Sequence, residues 1–229
     1  MPTSTQFSTQ SSTQTTAQGR LFLHAGALAD GAVDSIQADF DKLKPSAYKD
    51  GAFRYRKYSK VRLDDGAVSL LPSEAFVQTG DINRFQGDVA RTYDDLSGEL
   101  LNSQGFQSIC AEFATVCKLP AQSTMEVHQM RIIAQAGTDS VEAAPEGIHQ
   151  DGFDFVGVFT IARHNHTGGE LLVWRSQHDD SPLTRLNLIA GEFCIVNDKS
   201  LWHSASSLSA INGDDVGYWD LFVLTASSS

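Results

Sequence analysis

Short β-prone runs in series fill the second half of the chain, and they limit its possible folds more than any other feature. Residues 124–135, 155–163, 170–175, 191–197 and 218–225 are rich in Val, Ile and aromatic side chains. Turn-forming stretches lie between them, among them Asn165-His166-Thr167-Gly168-Gly169 and His178-Asp179-Asp180-Ser181-Pro182. Several strands in series, separated by Gly, Asn, Asp and Pro, build an antiparallel sandwich or jelly roll. The first half reads differently. Leu23, Ala27, Val33, Ile36, Phe40 and Leu43 recur at helical spacing, which predicts one or two helices over 21–43 with a break near Asp30-Gly31. Residues 94–118 return to that spacing before Pro120. Between these segments, residues 53–63 alternate, with Arg54, Arg56, Tyr58, Lys60 and Arg62 on one face of an early strand. A basic face of this kind guards an edge against strand addition, so it is expected in solvent, a pocket contact from Arg54 or Arg56 being the alternative. The fold class expected is mainly β, a cupin-like jelly roll with helices packed outside.

Of residues 1–19, fourteen are Ser, Thr or Gln and none is charged. Burial there cannot offset the cost of ordering, so 1–19 is expected as a disordered tail and 20–229 as one domain. The tail lacks the basic and apolar regions of a secretory signal and the arginines of an organelle transit peptide. No apolar run approaches the ~20 residues of a membrane span. The net charge of −11 argues against a nucleic-acid partner. Cys110, Cys117 and Cys194 are unclustered, and buried free thiols in a reducing cytoplasm are the expected state. The expected protein is cytoplasmic, away from membranes and nucleic acids. Its oligomeric state is not legible.

Seven histidines each need a reading. In His149-Gln150-Asp151 an imidazole and a carboxylate stand at i and i+2, on one face if the segment is extended. A second such pair, His178 with Asp180, lies in a polar stretch and reads as a solvated loop. His149 instead leads into the apolar run from Phe155, where a rigid strand can hold an ion. His203, 52 residues after Asp151 and following its own apolar run, supplies a third ligand. Two histidines and one carboxylate suit non-haem Fe(II) with open positions, whereas zinc prefers a closed four-ligand set. The plain alternative is three polar residues scattered over a β domain. His164 and His166 flank a turn and read as exposed, and His128, on a face with Met130 and Ile132, reads as a core histidine.

These residues carry a resemblance. His128-Gln129-Met130-Arg131, PEGIHQDGFDFV (145–156), ARHNHTGGE (162–170), NDKSLWHSASSL (197–208) and Asp220-Leu221-Phe222-Val223 are similar to the bacterial amino-acid dioxygenases related to L-isoleucine 4-hydroxylase. FRYRKYS (53–59) resembles that family's first strand, and the likeness spans roughly residues 50–226. The resemblance implies a double-stranded β-helix that binds Fe(II) through His149, Asp151 and His203 and uses 2-oxoglutarate and O2. It further implies hydroxylation of an aliphatic side chain of a small free amino acid. No acid–base group is required, so none beyond the metal ligands is assigned.

At one position the chain departs from the pattern. The resemblance places an arginine for the far carboxylate of 2-oxoglutarate where this sequence has Trp219. An indole offers one N–H and no charge, so it cannot replace a bidentate guanidinium. Arg163, twelve residues after Asp151 on the next strand, and Arg131 are the cations expected to serve instead. Each could equally be a structural ion-pair partner. The rival reading is a degenerate homologue, or a metal-binding jelly roll that does not use 2-oxoglutarate.

Overall fold

The computed structural model describes residues 12–15, 22–83, 85–135, 137, 140–212 and 215–228. In chain order its strands begin with β1 (Ser12–Thr15), β2 (Phe22–Ala27), β3 (Arg54–Asp64), β4 (Ala67–Leu70) and β5 (Thr124–Ala134). They continue with β6 (Phe155–His164), β7 (His166–Gly168), β8 (Leu171–Trp174), β9 (Thr184–Leu186) and β10 (Glu192–Asn197). The last are β11 (Trp202–Ala205), β12 (Leu208–Ala210) and β13 (Gly217–Ala226). Helices α1 (Gly98–Leu101) and α2 (Gln104–Cys117) separate β4 from β5. Eight strands form one antiparallel sheet in the order β1-β2-β10-β6-β13-β5-β3-β4. Two small sheets, β11-β8-β9 and β12-β7, pack over one of its faces.

Two cores lie on the large sheet, one on each side. Toward the helices, Phe159, Phe222 and Leu224 pack with Phe106, Ile109 and Phe113. Toward the small sheets, Met130, Ile132, Val158 and Leu221 pack with Val173 and Leu208. Burial on both sides explains why β6 and β13 read as nearly unbroken apolar runs. Gly157 makes the helix side possible: a Cβ there would stand 2.8 Å from the Phe113 ring. Ser103 caps α2 by accepting from the Phe106 N–H, and Lys118, at φ 51°, ends it. This mainly β, antiparallel jelly roll is the class expected. Cys110, Cys117 and Cys194 are free and buried. No helix of the described residues is long and apolar enough to cross a membrane.

Residues 22–27 form a strand rather than the helix expected from their spacing. Leu23 and Ala27 fit either period, and pairing with β10 decides the outcome. Gly26 admits the Phe193 ring from that neighbour, because a Cβ would lie 2.7 Å from it. Turns follow, and then a short 3-10 helix over Gln37–Lys42. Of the expected tail, 1–11 and 16–19 lie outside the described residues, while Ser12–Thr15 pair along β2.

The basic face of β3 is solvated only in part: Lys60 and Arg62 are half-exposed, whereas the Arg54 and Arg56 end is enclosed. Arg54 and Arg56 stand opposite Ile132 and Met130 of β5, on the side covered by the small sheets, and Arg54 is buried. The segment after β4 covers this edge, with the backbone N–H of Tyr58 donating to the Asp94 carbonyl. An edge that is covered needs no charge to protect it, so these arginines turn inward.

Arg131 also departs from expectation, because strand parity turns it the other way. Its neighbours Met130 and Ile132 face the small sheets, so Arg131 lies on the helix side of β5. There it holds Asp220 through Nε (2.7 Å) and Nη2 (2.8 Å), and Asp41 at 3.0 Å. Burial pushes the Asp220 carboxyl up and Arg131 pulls it partly back, to about 6. Arg131→Met should therefore destabilise the fold by about 3–5 kcal/mol in chemical denaturation, the usual cost of stranding a buried charge. The iron affinity of the folded fraction should not change. A substitution within about 1 kcal/mol of wild type would make the pair a surface contact.

Candidate metal centre

One loop and one strand bring the expected ligands together. His149 follows β5 in a loop whose backbone pairs with β11: His149 and His203 exchange N–H···O bonds of 2.9 Å in both directions. This puts the two imidazoles side by side, with ring centroids 4.4 Å apart. Asp151 completes the group, 3.7 Å from His149 Nε2 and 3.4 Å from His203 Nε2. One ligand atom from each of the three lies within 4.8 Å of the others. Among the described residues this is the one group of three that could hold an ion.

The donor chemistry fits Fe(II). His149 Nδ1 lies 2.9 Å from the Gly147 carbonyl, which can only accept, so an Nδ1–H is directed there and Nε2 is the nitrogen turned toward Asp151. Burial would lift the Asp151 carboxyl, but His203 and His149 hold it well below the usual range. Burial disfavours a charged His203, yet Asp151 and Asp198 raise it to about 10. Without metal the cluster thus gathers a proton, and an ion entering it displaces that proton. Two nitrogens and one carboxylate on one side of a site leave the other side open, the pattern of non-haem iron.

A carboxylate that the sequence did not single out holds this arrangement in place. Asp198 Oδ2 accepts from the backbone N–H groups of Asp151 (2.8 Å), Gly152 (2.8 Å) and Phe153 (3.3 Å). Its Oδ1 stands 3.5 Å from His203 Nδ1. Gln150 adds to the clasp by donating to the carbonyls of Asp198 and Leu201. On the other flank, Gln78 Nε2 donates to Asp151 Oδ1 at 3.1 Å.

The triad opens on a cavity of mixed lining. Met130, Ile132, Val158 and Leu221 contribute apolar surface. Arg54 and Arg56, beside Ile132 and Met130 on the neighbouring strand, and Arg91 contribute guanidinium groups. His128 also lines it, in contact with the Tyr58 and Phe76 rings and kept neutral by burial and by Arg56. It is buried on the face its strand pattern suggested, and it also borders the cavity. Neither expected anchor reaches the cavity. Arg131 faces the helices, as described. Arg163 donates to the carbonyls of Leu188, Gly168 and Gly169 and rests 4.6 Å over the indole of Trp219. Trp219 itself lines the cavity and donates to Thr160 Oγ1 at 3.2 Å. His178 is exposed, and His164 lies at the surface beside Asp215.

A fold, a triad and a shared cavity of this kind define a non-haem iron oxygenase jelly roll. The model of the 2OG-Fe dioxygenase family matches residues 37–225, and the chain belongs to that family. Its members use Fe(II), 2-oxoglutarate and O2. Among solved structures it is similar to a bsmA homologue from Methylobium petroleophilum PM1 (25% identity, TM-score 0.72, covering 86% of this chain and 81% of that one). IDO from Bacillus thuringiensis shares the fold at 16% identity (TM-score 0.65, covering 86% and 85%). So does the Fe(II)/α-ketoglutarate-dependent dioxygenase TqaL, at 14% identity (TM-score 0.64, covering 87% and 75%). No curated protein matches the chain.

Two outcomes follow from this geometry. Asp198→Ala should weaken iron binding by roughly 10–100-fold in chelator competition, because it frees both the Asp151 loop and the His203 ring. Unchanged affinity would show the loop to be rigid without it. Glu146 is the second case. Burial opposes its charge, but Arg54 at 3.2 Å more than reverses that and lowers it to about 2. A depressed carboxyl stabilises the fold above its unfolded pKa and loses that contribution as pH falls. Between pH ~4.5 and ~2 this should remove on the order of 3 kcal/mol. Glu146→Gln should be less stable at neutral pH and flatter across that window in pH-dependent unfolding; parallel curves would refute the linkage.

Proposed function

We propose that this dioxygenase hydroxylates the side chain of a free aliphatic L-amino acid in the cytoplasm, with neither nucleic acid nor membrane as a partner. The supporting observation is the mixed lining of the cavity beside the ligand triad: the guanidinium groups of Arg54, Arg56 and Arg91 together with aliphatic side chains. A carboxylate held by a guanidinium leaves an apolar side chain to lie against the aliphatic lining of Met130, Ile132 and Val158, where desolvation is favourable. The resemblance to amino-acid hydroxylases in the motifs around His149 and His203 points the same way.

His149, Asp151 and His203 would hold the iron. When bound, iron with 2-oxoglutarate and O2 supplies an oxidant for an unactivated C–H bond, and the co-substrate leaves as succinate and CO2. The chain's own residues have simpler tasks. Asp198 and Gln78 fix the orientation of the ligands. The apolar lining excludes water and limits which carbon approaches the open side of the triad.

A second reading has an observation of its own. Trp219 is only 2% exposed and occupies the position at which the resemblance places an arginine, with Arg163 tied to carbonyls behind it. This arrangement favours a metal-binding jelly roll that does not take 2-oxoglutarate. Succinate release measured across the twenty amino acids, with His149→Ala as the blank, separates the two. The first reading expects release that depends on an aliphatic amino acid; no release with any of them leaves the second. Trp219→Arg should not increase release, because it sets a second guanidinium against Arg163 in a buried site. A several-fold gain would instead identify position 219 as the anchor point.

A further inference from the structure

The cations around the cavity are unequally matched. Arg54 is neutralised by Glu146, at 3.2 and 3.3 Å, and donates to the Ala143 carbonyl at 2.6 Å. Among the described residues Arg56 has one carboxylate near it, Asp50 at 3.8 Å, with the Tyr93 hydroxyl at 3.5 Å and its ring at 5.2 Å. Arg91 has no carboxylate partner among the described residues. Its one side-chain hydrogen bond runs from Nη2 to Gln78 Oε1 at 3.2 Å, and its Nε has no partner. Yet Arg91 is 1% exposed. Its guanidinium lies 4.7 Å over the Phe76 ring, which Arg56 also approaches at 5.6 Å.

Two like charges around one ring, one of them buried without a counter-ion, form an arrangement that a folded chain avoids unless a ligand supplies the anion. A ring face stabilises a guanidinium but does not satisfy its N–H donors. The position is fixed as well. Gln78 accepts from Arg91 through Oε1 and donates to Asp151 through Nε2, so one side-chain amide spans the distance between guanidinium and metal ligand. Asn83 Nδ2, 2.9 Å from Gln78 Oε1, sets which end of that amide faces Arg91.

We propose that Arg91, with Arg56 beside it, binds a ligand carboxylate at the metal centre and takes over the anchoring role that Trp219 cannot fill. The inference rests on the dioxygenase reading above. The carboxylate has two possible sources, the far end of 2-oxoglutarate and the main-chain end of the amino-acid substrate. The chemistry is the same for both: a planar oxyanion on a planar fork of donors.

The test is binding to anaerobic Fe(II)-loaded protein, read by the visible charge-transfer band of the 2-oxoglutarate complex and by calorimetry. Arg91→Gln should bind iron as wild type does and weaken one carboxylate ligand at least tenfold. Weaker 2-oxoglutarate identifies the co-substrate as the source. Unchanged 2-oxoglutarate with weaker amino acid identifies the substrate. A ligand that lacks the carboxylate concerned, 2-oxobutyrate or the amino alcohol, should bind wild type and variant alike. Arg91→Lys keeps the charge without the fork and should fall between them; it replaces Arg91→Gln if that variant does not fold. Binding of both carboxylates within twofold of wild type overturns the proposal. A wild-type protein that gives no charge-transfer band refutes the dioxygenase reading instead. The anchor is then judged on metal-free protein with glutarate, where tenfold weakening in Arg91→Gln upholds it and equal or absent binding overturns it.

Discussion

One carboxylate oxygen, Asp198 Oδ2, joins the two halves of the metal centre. It accepts three consecutive backbone N–H groups from residues 151–153, a segment with no regular structure of its own. Donors arranged around one anion hold a loop as a capped helix end is held, without long side chains that could change rotamer. Asp198 belongs to the connection from β10 to β11, which carries His203. The clasp therefore sets Asp151 against His203 across 52 residues of chain. The backbone exchange between His149 and His203 then fixes the third ligand. Without Asp198 those N–H groups would have no acceptor, and the ligand carboxylate would lose its direction.

The large sheet keeps a second pair of charges away from this centre. Arg131 and Asp220 face each other on β5 and β13, one residue from side chains that line the cavity. Strand parity alone places them on the helix side. Had the register slipped by one residue, an arginine and a carboxylate would enter the cavity and Met130 and Leu221 would leave it. The buried pair is thus a register device as well as an ion pair.

How much of this the sequence revealed depended on how local each signal was. The strands of the second half, α2 and the triad were legible because each is written in a few adjacent residues: an apolar run, a helical period, a His-x-Asp. The choice of anchors failed for lack of parity. Trp219 pairs directly with Ile132, so Arg131 had to face outward, but that follows only once β13 is aligned on β5. Arg163 lies on the correct side, yet the carbonyls of the Gly168-Gly169 turn saturate it, and donor saturation leaves no trace in spacing. The basic face of β3 was read as an exposed edge because the segment that covers it has no period of its own. Gln78, Arg91 and Asp198 come from such irregular stretches, and nothing in their immediate neighbours marks them.

The same fact bears on specificity. A barrel strand offers a guanidinium at a depth fixed by its register, whereas Arg91 comes from the irregular segment between β4 and α1. Its reach is set by two amides, Asn83 and Gln78, and by the Phe76 ring on which it rests. Such a support can be altered by a few loop residues without disturbing either core. Where the anchored carboxylate is the substrate's, the carbon presented to the metal is set by the distance from anchor to triad, and a shift of about 1 Å in bound position is enough to change a reaction's outcome. In this chain that distance is governed by Gln78, which touches both the anchor and Asp151. The indole at 219 is consistent with this arrangement. With the anion held on the Asp151 side, the interior position opposite Ile132 no longer needs a cation, and a large apolar ring backed by Arg163 fills it.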